Sequence, residues 1–139
     1  MPLQKIQDFL QWRVDATLAG NFDLLAPFYR YPLHIAFDTG AVEIADHAQM
    51  TRFLAEFRAD WLRREVARVT VEVTKLVHGK NGRFRVWAIS REYDATDALC
   101  GQSTYVQYCQ NTAFGIRTEM FETIRYEPGK LPVTADSGI

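Results

Sequence analysis

Residues 46–64 read DHAQMTRFLAEFRADWLRR, and this stretch decides the fold. Asp46 stands where a helix N-cap belongs, and Gln49 follows at capping-box spacing, which satisfies backbone N–H groups that a helix start leaves unpaired. Met50, Phe53, Leu54, Phe57 and Trp61 then recur at helical spacing, so one wide apolar stripe faces a core while Arg52, Glu56, Arg58, Asp60 and Arg63 face water. Beyond residue 64 the hydrophobic period falls from about 3.6 to about 2, the period of a strand whose side chains alternate between two faces. Four β-rich segments follow, to about residue 126. A capped amphipathic helix laid against a curved sheet is an α+β architecture.

Upstream, Leu3, Ile6, Phe9, Leu10, Val14 and Leu18 mark a first amphipathic helix, with Gly20 placed to end it. Asn21 opens a shorter helix in which Pro27 breaks the hydrogen-bond ladder. The chain then extends through Pro32-Leu33-His34-Ile35-Ala36-Phe37, turns at Asp38-Thr39-Gly40 and returns as a short strand over 41–44.

Downstream, Val69, Val71 and Val73 share one face of a strand spanning 66–77, and His78-Gly79-Lys80-Asn81-Gly82 closes a hairpin into a strand over 84–93. A loop over 94–101 leads to a third long strand, 102–110, and Asn111-Thr112-Ala113 turns into the last, 114–126. Pairing Gln110 with Phe114 across a three-residue turn puts Thr104, Val106, Tyr108, Phe114, Ile116, Thr118 and Met120 on the core face. The opposite face then collects Tyr105, Gln107, Arg117, Glu119 and Phe121, a polar and aromatic mixture suited to an interface and the basis for expecting a homodimer through the sheet. Residues 1–130 read as one domain and 131–139 as a loose tail.

The composition bounds the function. At 139 residues with 47% hydrophobic and 24% charged side chains, the chain suits one globular domain with a substantial core and no staples. Thirteen per cent aromatics raises the prospect of a ligand cavity. Sixteen basic and seventeen acidic residues, net −1, are scattered along the chain with no basic stripe, which argues against nucleic acid. Nowhere do about 18 apolar residues run together, and the N-terminus lacks the apolar run of a signal peptide, so no membrane partner and a cytoplasmic location are expected. Cys100 and Cys109 are too few for a disulfide framework and read as free thiols.

Helix, short helix with a Phe-Tyr end, Pro-led strand, hairpin, capped helix and four long strands form an order that resembles the nuclear transport factor 2-like superfamily. The likeness is carried by Asn21-Phe22-Asp23-Leu24-Leu25-Ala26-Pro27-Phe28-Tyr29, by Tyr31-Pro32-Leu33-His34-Ile35, by 40–44 leading into Asp46, and by Phe114-Gly115-Ile116-Arg117. It covers about residues 3–126. The resemblance implies a cystatin-like cone, helices held in a strongly curved antiparallel sheet, with an apolar pocket at the open end and dimerisation through the sheet. It implies a ligand that is a small apolar organic molecule, and an activity either absent, as in a dimeric binding or assembly module, or that of an isomerase, polyketide cyclase or dehydratase without a cofactor. By the same resemblance Asp38 lies within one residue of the base of ketosteroid isomerases, although Asp-Thr-Gly also makes a turn.

Among titratable residues, His47 and His78 sit at a cap and in a turn and are expected in solvent. His34 lies within a strand, on the face opposite Leu33 and Ile35, and is expected either to enter the mouth of the cone beside Trp61 as an acid or base or to be a hydrogen-bonded structural histidine. Tyr31 or Tyr108 would then donate to a developing oxyanion. Phe57, Trp61, Trp87, Tyr108, Thr118 and Met120 are the expected lining of the ligand site. No set of residues has metal-ligand spacing.

Overall fold

A computed structural model describes residues 3–37 and 39–127. Three helices, α1 (Leu3–Ala19), α2 (Phe22–Leu25) and α3 (His47–Arg63), pack in a curled, unclosed six-stranded sheet made of β1 (Tyr29–Phe37), β2 (Gly40–Ile44), β3 (Val66–His78), β4 (Arg83–Asp94), β5 (Leu99–Asn111) and β6 (Ile116–Glu127). The α+β cone read from the sequence is the observed architecture. Strand order is β2-β1-β6-β5-β4-β3, and every pair is antiparallel except β1–β6, which is parallel.

The helix boundaries follow the sequence signals. Asp46 accepts from the Gln49 N–H at 2.9 Å, and the Gln49 side chain reaches back to the Ala45 N–H at 2.8 Å. Gly20 closes α1 with φ +87°, a left-handed conformation that glycine adopts without steric cost, and its N–H bonds the Thr17 carbonyl. Pro27 begins a 3₁₀ turn over Ala26–Phe28 instead of prolonging α2. On α3, Met50, Leu54 and Trp61 are buried as expected, whereas Phe57 is 46% exposed and meets Trp61 edge-on at 5.1 Å.

The last hairpin corrects the sequence reading. Gln110 pairs with Arg117 and Asn111 with Ile116, so the connection runs through Thr112–Gly115, closed by hydrogen bonds between those two residues. Register shifts between Thr104 and Tyr105 and between Tyr108 and Cys109 each insert an extra residue on β6. Tyr105, Gln107, Cys109, Ile116, Thr118 and Phe121 therefore face the helices, while Thr104, Val106, Tyr108 and Met120 lie on the outer face. Because side-chain period is 2, the odd, three-residue offset from the expected Gln110–Phe114 pairing exchanges the faces of β5, and the interface expected from Tyr105, Gln107 and Phe121 is part of the core instead.

Among the described residues three buried clusters fill the fold. One joins Ile6 and Leu10 of α1 to Val71, Phe84, Val86, Ala88, Tyr105 and Ile116 of the sheet. A second joins Leu25, Leu33, Ile35, Ile44, Met50 and Leu54. The third holds Trp61 with Val66, Val69 and Cys100.

Candidate functional site

Arg13 is the residue on which the interior turns. It lies on the buried stripe of α1 with Ile6 and Leu10, is 5% exposed, and points its guanidinium at the sheet. Nη1 donates to Thr118 Oγ1 at 2.7 Å, Nη2 donates to Gln107 Oε1, and Thr118 Oγ1 donates to the same Gln107 oxygen at 2.9 Å. The carbon of the guanidinium lies 4.9 Å from the Tyr29 ring centroid and 5.5 Å from that of Phe9. Among the described residues no carboxylate forms an ion pair with it. A buried cation held only by neutral acceptors and ring faces is electrostatically incomplete, since desolvation opposes it and no anion answers it.

The surrounding polar groups are forced into their neutral forms. Burial raises the Tyr29 phenol above its ordinary value although Arg13 acts against it, and burial likewise raises Tyr105, whose oxygen accepts from Ser90 Oγ at 3.1 Å. Burial pushes the Cys109 thiol up to about 11; its sulfur lies 3.7 Å from Thr118 Oγ1. Fixed positive charge beside neutral phenol, thiol and hydroxyl groups can hold an anion or a developing oxyanion.

A second buried polar group lies under the end of α3. Trp61 Nε1 donates to Glu92 Oε2 at 3.0 Å, and Arg64 Nη1 donates to Glu92 Oε1 at 2.8 Å. Gly101, opposite Glu92 on β5, leaves the carboxylate its space: a Cβ there would stand 2.3 Å from Glu92 Oε1.

The residues expected to form one site are distributed over the molecule. His34 does not enter the mouth beside Trp61. β1 alternation turns Leu33 and Ile35 inward at 1% and 4% exposure, so His34 faces outward, with Nε2 3.7 Å from Glu43 Oε2 across the β1–β2 pair. Tyr31 donates its hydroxyl to the Ala26 carbonyl at 2.6 Å, packs on the His47 ring, and has its phenol raised by burial. Asp38 lies outside the described residues. Trp61 is buried as a donor to Glu92, Phe57 is exposed, and Trp87, Tyr108 and Met120 lie on the outer face. Trp87 sits there beneath Lys75 and Arg85, at 5.0 and 5.4 Å from its ring centroid. Of the expected lining, only Thr118 joins the Arg13 cluster. His47 and His78 are exposed. Arg13 was legible as a charged residue on the apolar stripe of α1, between Leu10 and Thr17; Gln107 was hidden by the register.

No family model matches the chain, and no curated protein does. Solved structures do. A cystatin-like domain of unknown function from Nostoc punctiforme superposes with TM-score 0.68 at 14% identity, over 88% of this chain and 75% of the other. An NTF-2 like protein of unknown function from Shewanella oneidensis gives 0.66 at 11% identity, over 88% and 98%. A ketosteroid isomerase-like protein from Erwinia carotovora atroseptica gives 0.56 at 12%, over 81% and 88%. At these identities the likeness defines the fold, which is nuclear transport factor 2-like. No described helix is long and apolar enough to cross a membrane.

Proposed function

We propose that this chain is a cytoplasmic small-molecule-binding protein whose interior takes a small, largely apolar organic ligand bearing one anionic or carbonyl oxygen, with that oxygen against Arg13. The observation that carries the reading is the burial of the Arg13 guanidinium on two aromatic faces with only neutral acceptors. An anion there would supply the charge the cluster lacks and would gain from a low-dielectric setting. The same geometry would serve a cofactor-free isomerase, cyclase or dehydratase by stabilising an oxyanion.

The test compares ligands of one shape and different charge. Naphthoate should raise the melting temperature by mass action, naphthamide should not, and Arg13→Gln should remove the difference. Equal shifts for acid and amide, or an undiminished naphthoate shift in the variant, would overturn the reading.

A second reading, a homodimer through the sheet, is supported by the outer face, where Trp87, Ile89, Tyr108 and Met120 are half-buried around Val106. Sedimentation at micromolar concentration tests it, with Ile89→Asp expected to yield monomer. A wild-type monomer would rule out the dimer.

A further inference from the structure

The charges that look scattered along the sequence are gathered by folding. Arg83 of β4, Gln110 of β5 and Arg117 of β6 are successive cross-strand partners, and Arg30 of β1 reaches the same row, donating to Gln110 Oε1 at 3.2 Å. Among the described residues one carboxylate answers them: Glu119 takes hydrogen bonds from Arg30 at 2.7 Å and from Arg83 at 3.0 Å. Burial pushes the Glu119 carboxyl up, but the two arginines together outweigh it and hold it below its ordinary value. Next to this row, at the β3–β4 hairpin, is a cleft of about 330 Å³ lined by Lys80, Arg83, Arg85, Glu119, Tyr108 and Val77. Neither Lys80 nor Arg85 has an ion pair among the described residues, and Nε of Arg117 is buried without a hydrogen-bond partner.

In a chain of net charge −1, this is a strong local excess of positive charge beside a concavity of small-molecule size. We propose that the cleft binds a small phosphorylated molecule, its dianionic phosphoryl group taken by Lys80 and Arg85 and its organic part lying on Tyr108 and Val77. Two cations without an ion pair among the described residues match two negative charges, and a guanidinium presents paired donors to phosphoryl oxygens. Glu119 is already neutralised by its two arginines, so it does not repel the ligand as a free carboxylate would. The size of the cleft favours a metabolite over a polymer, whose charge would need a longer track.

The experiment is titration of the whole chain with phenyl phosphate, followed by amide chemical shifts. Saturable changes confined to 77–85, 108 and 119 are expected, and Lys80→Gln combined with Arg85→Gln should weaken binding at least about tenfold with the fold unchanged by circular dichroism. Three outcomes would overturn the proposal: no saturation into the millimolar range, equal affinity in the double variant, or displacement of phenyl phosphate by a single-stranded oligonucleotide that itself binds more tightly, which would make the row a polymer surface. Since both substituted side chains are exposed and outside the core clusters, loss of binding would report on the cleft and not on folding.

Discussion

Gln11 of α1 bonds the backbone on either side of Thr70 on the edge strand β3: its Nε2 donates to the Val69 carbonyl at 2.8 Å, and its Oε1 accepts from the Val71 N–H at 2.9 Å. One turn earlier Gln7 repeats the pattern, donating to the Val71 carbonyl and accepting from the Val73 N–H at 2.8 Å. Two glutamines spaced one helical turn apart thus take the place of a seventh strand and cover backbone groups that an open sheet edge would present to another chain.

Replacing both glutamines with alanine should therefore do two things. Stability should fall by roughly 2–4 kcal/mol, about 1 for each hydrogen bond removed, read from urea unfolding. The uncovered edge should also cause concentration-dependent association in sedimentation. A double variant as stable and as soluble as the parent would show that water replaces the glutamines at no cost.

Trp61 has two separable roles, and two substitutions divide them. Trp61→Ala should cost about 3–5 kcal/mol, the loss of a large buried ring, while Trp61→Phe should cost about 1–3, the loss of one donor to the Glu92 carboxylate. Gly101→Ala should destabilise by a third route, because its methyl would collide with Glu92 Oε1. Thermal melts of the three variants rank these effects, and a Phe variant as costly as Ala would assign the whole role to the hydrogen bond to Glu92 and none to the packing of the ring.

The Arg13 cluster makes an asymmetric prediction. Thr118→Val leaves a buried guanidinium N–H without its acceptor and should cost about 1–3 kcal/mol. Arg13→Met removes the cation altogether and leaves the Thr118–Gln107 bond in place, so it should cost less. Chemical denaturation of both single variants and the double variant measures the coupling, and strict additivity would mean that the two groups do not act together.

Cys109 predicts a loss of stability at alkaline pH. Its thiol, at about 11 in the folded chain against an ordinary 9.0, is raised by burial in spite of Arg13 and the Thr118 contact. A group raised on folding contributes in full below its unfolded value and less as pH climbs toward the folded one. In a Cys100→Ala background, stability should fall between about pH 9 and about pH 11, and adding Cys109→Ala should flatten that fall. Alkylation of native Cys109 at pH 8 should be slow, because thiolate and access are both lacking.

Local chemistry determined much of this protein in the sequence itself. Capping at Asp46, the glycine stop at Gly20, the break at Pro27 and the valine alternation of β3 are each decided by residues within a turn or two, so the elements and the α+β class were legible. The sheet faces of β5 and β6 were not. The faces of β5 are set by the hairpin register, which pairs Gln110 with Arg117, and the faces of β6 change where extra residues enter it at Glu119 and Ile124; bulges follow from how strands pack rather than from turn composition. For the same reason Gln107 and Thr118 meet Arg13 only in three dimensions, across 94 and 105 residues of chain. The basic row of Arg30, Arg83 and Arg117 was also beyond the sequence, because parallel pairing of β1 with β6 and antiparallel pairing through β5 to β4 bring these charges together. Sequence decides what each segment can become, while the register between distant strands decides which side chains share a face, and both candidate sites of this protein rest on that second choice.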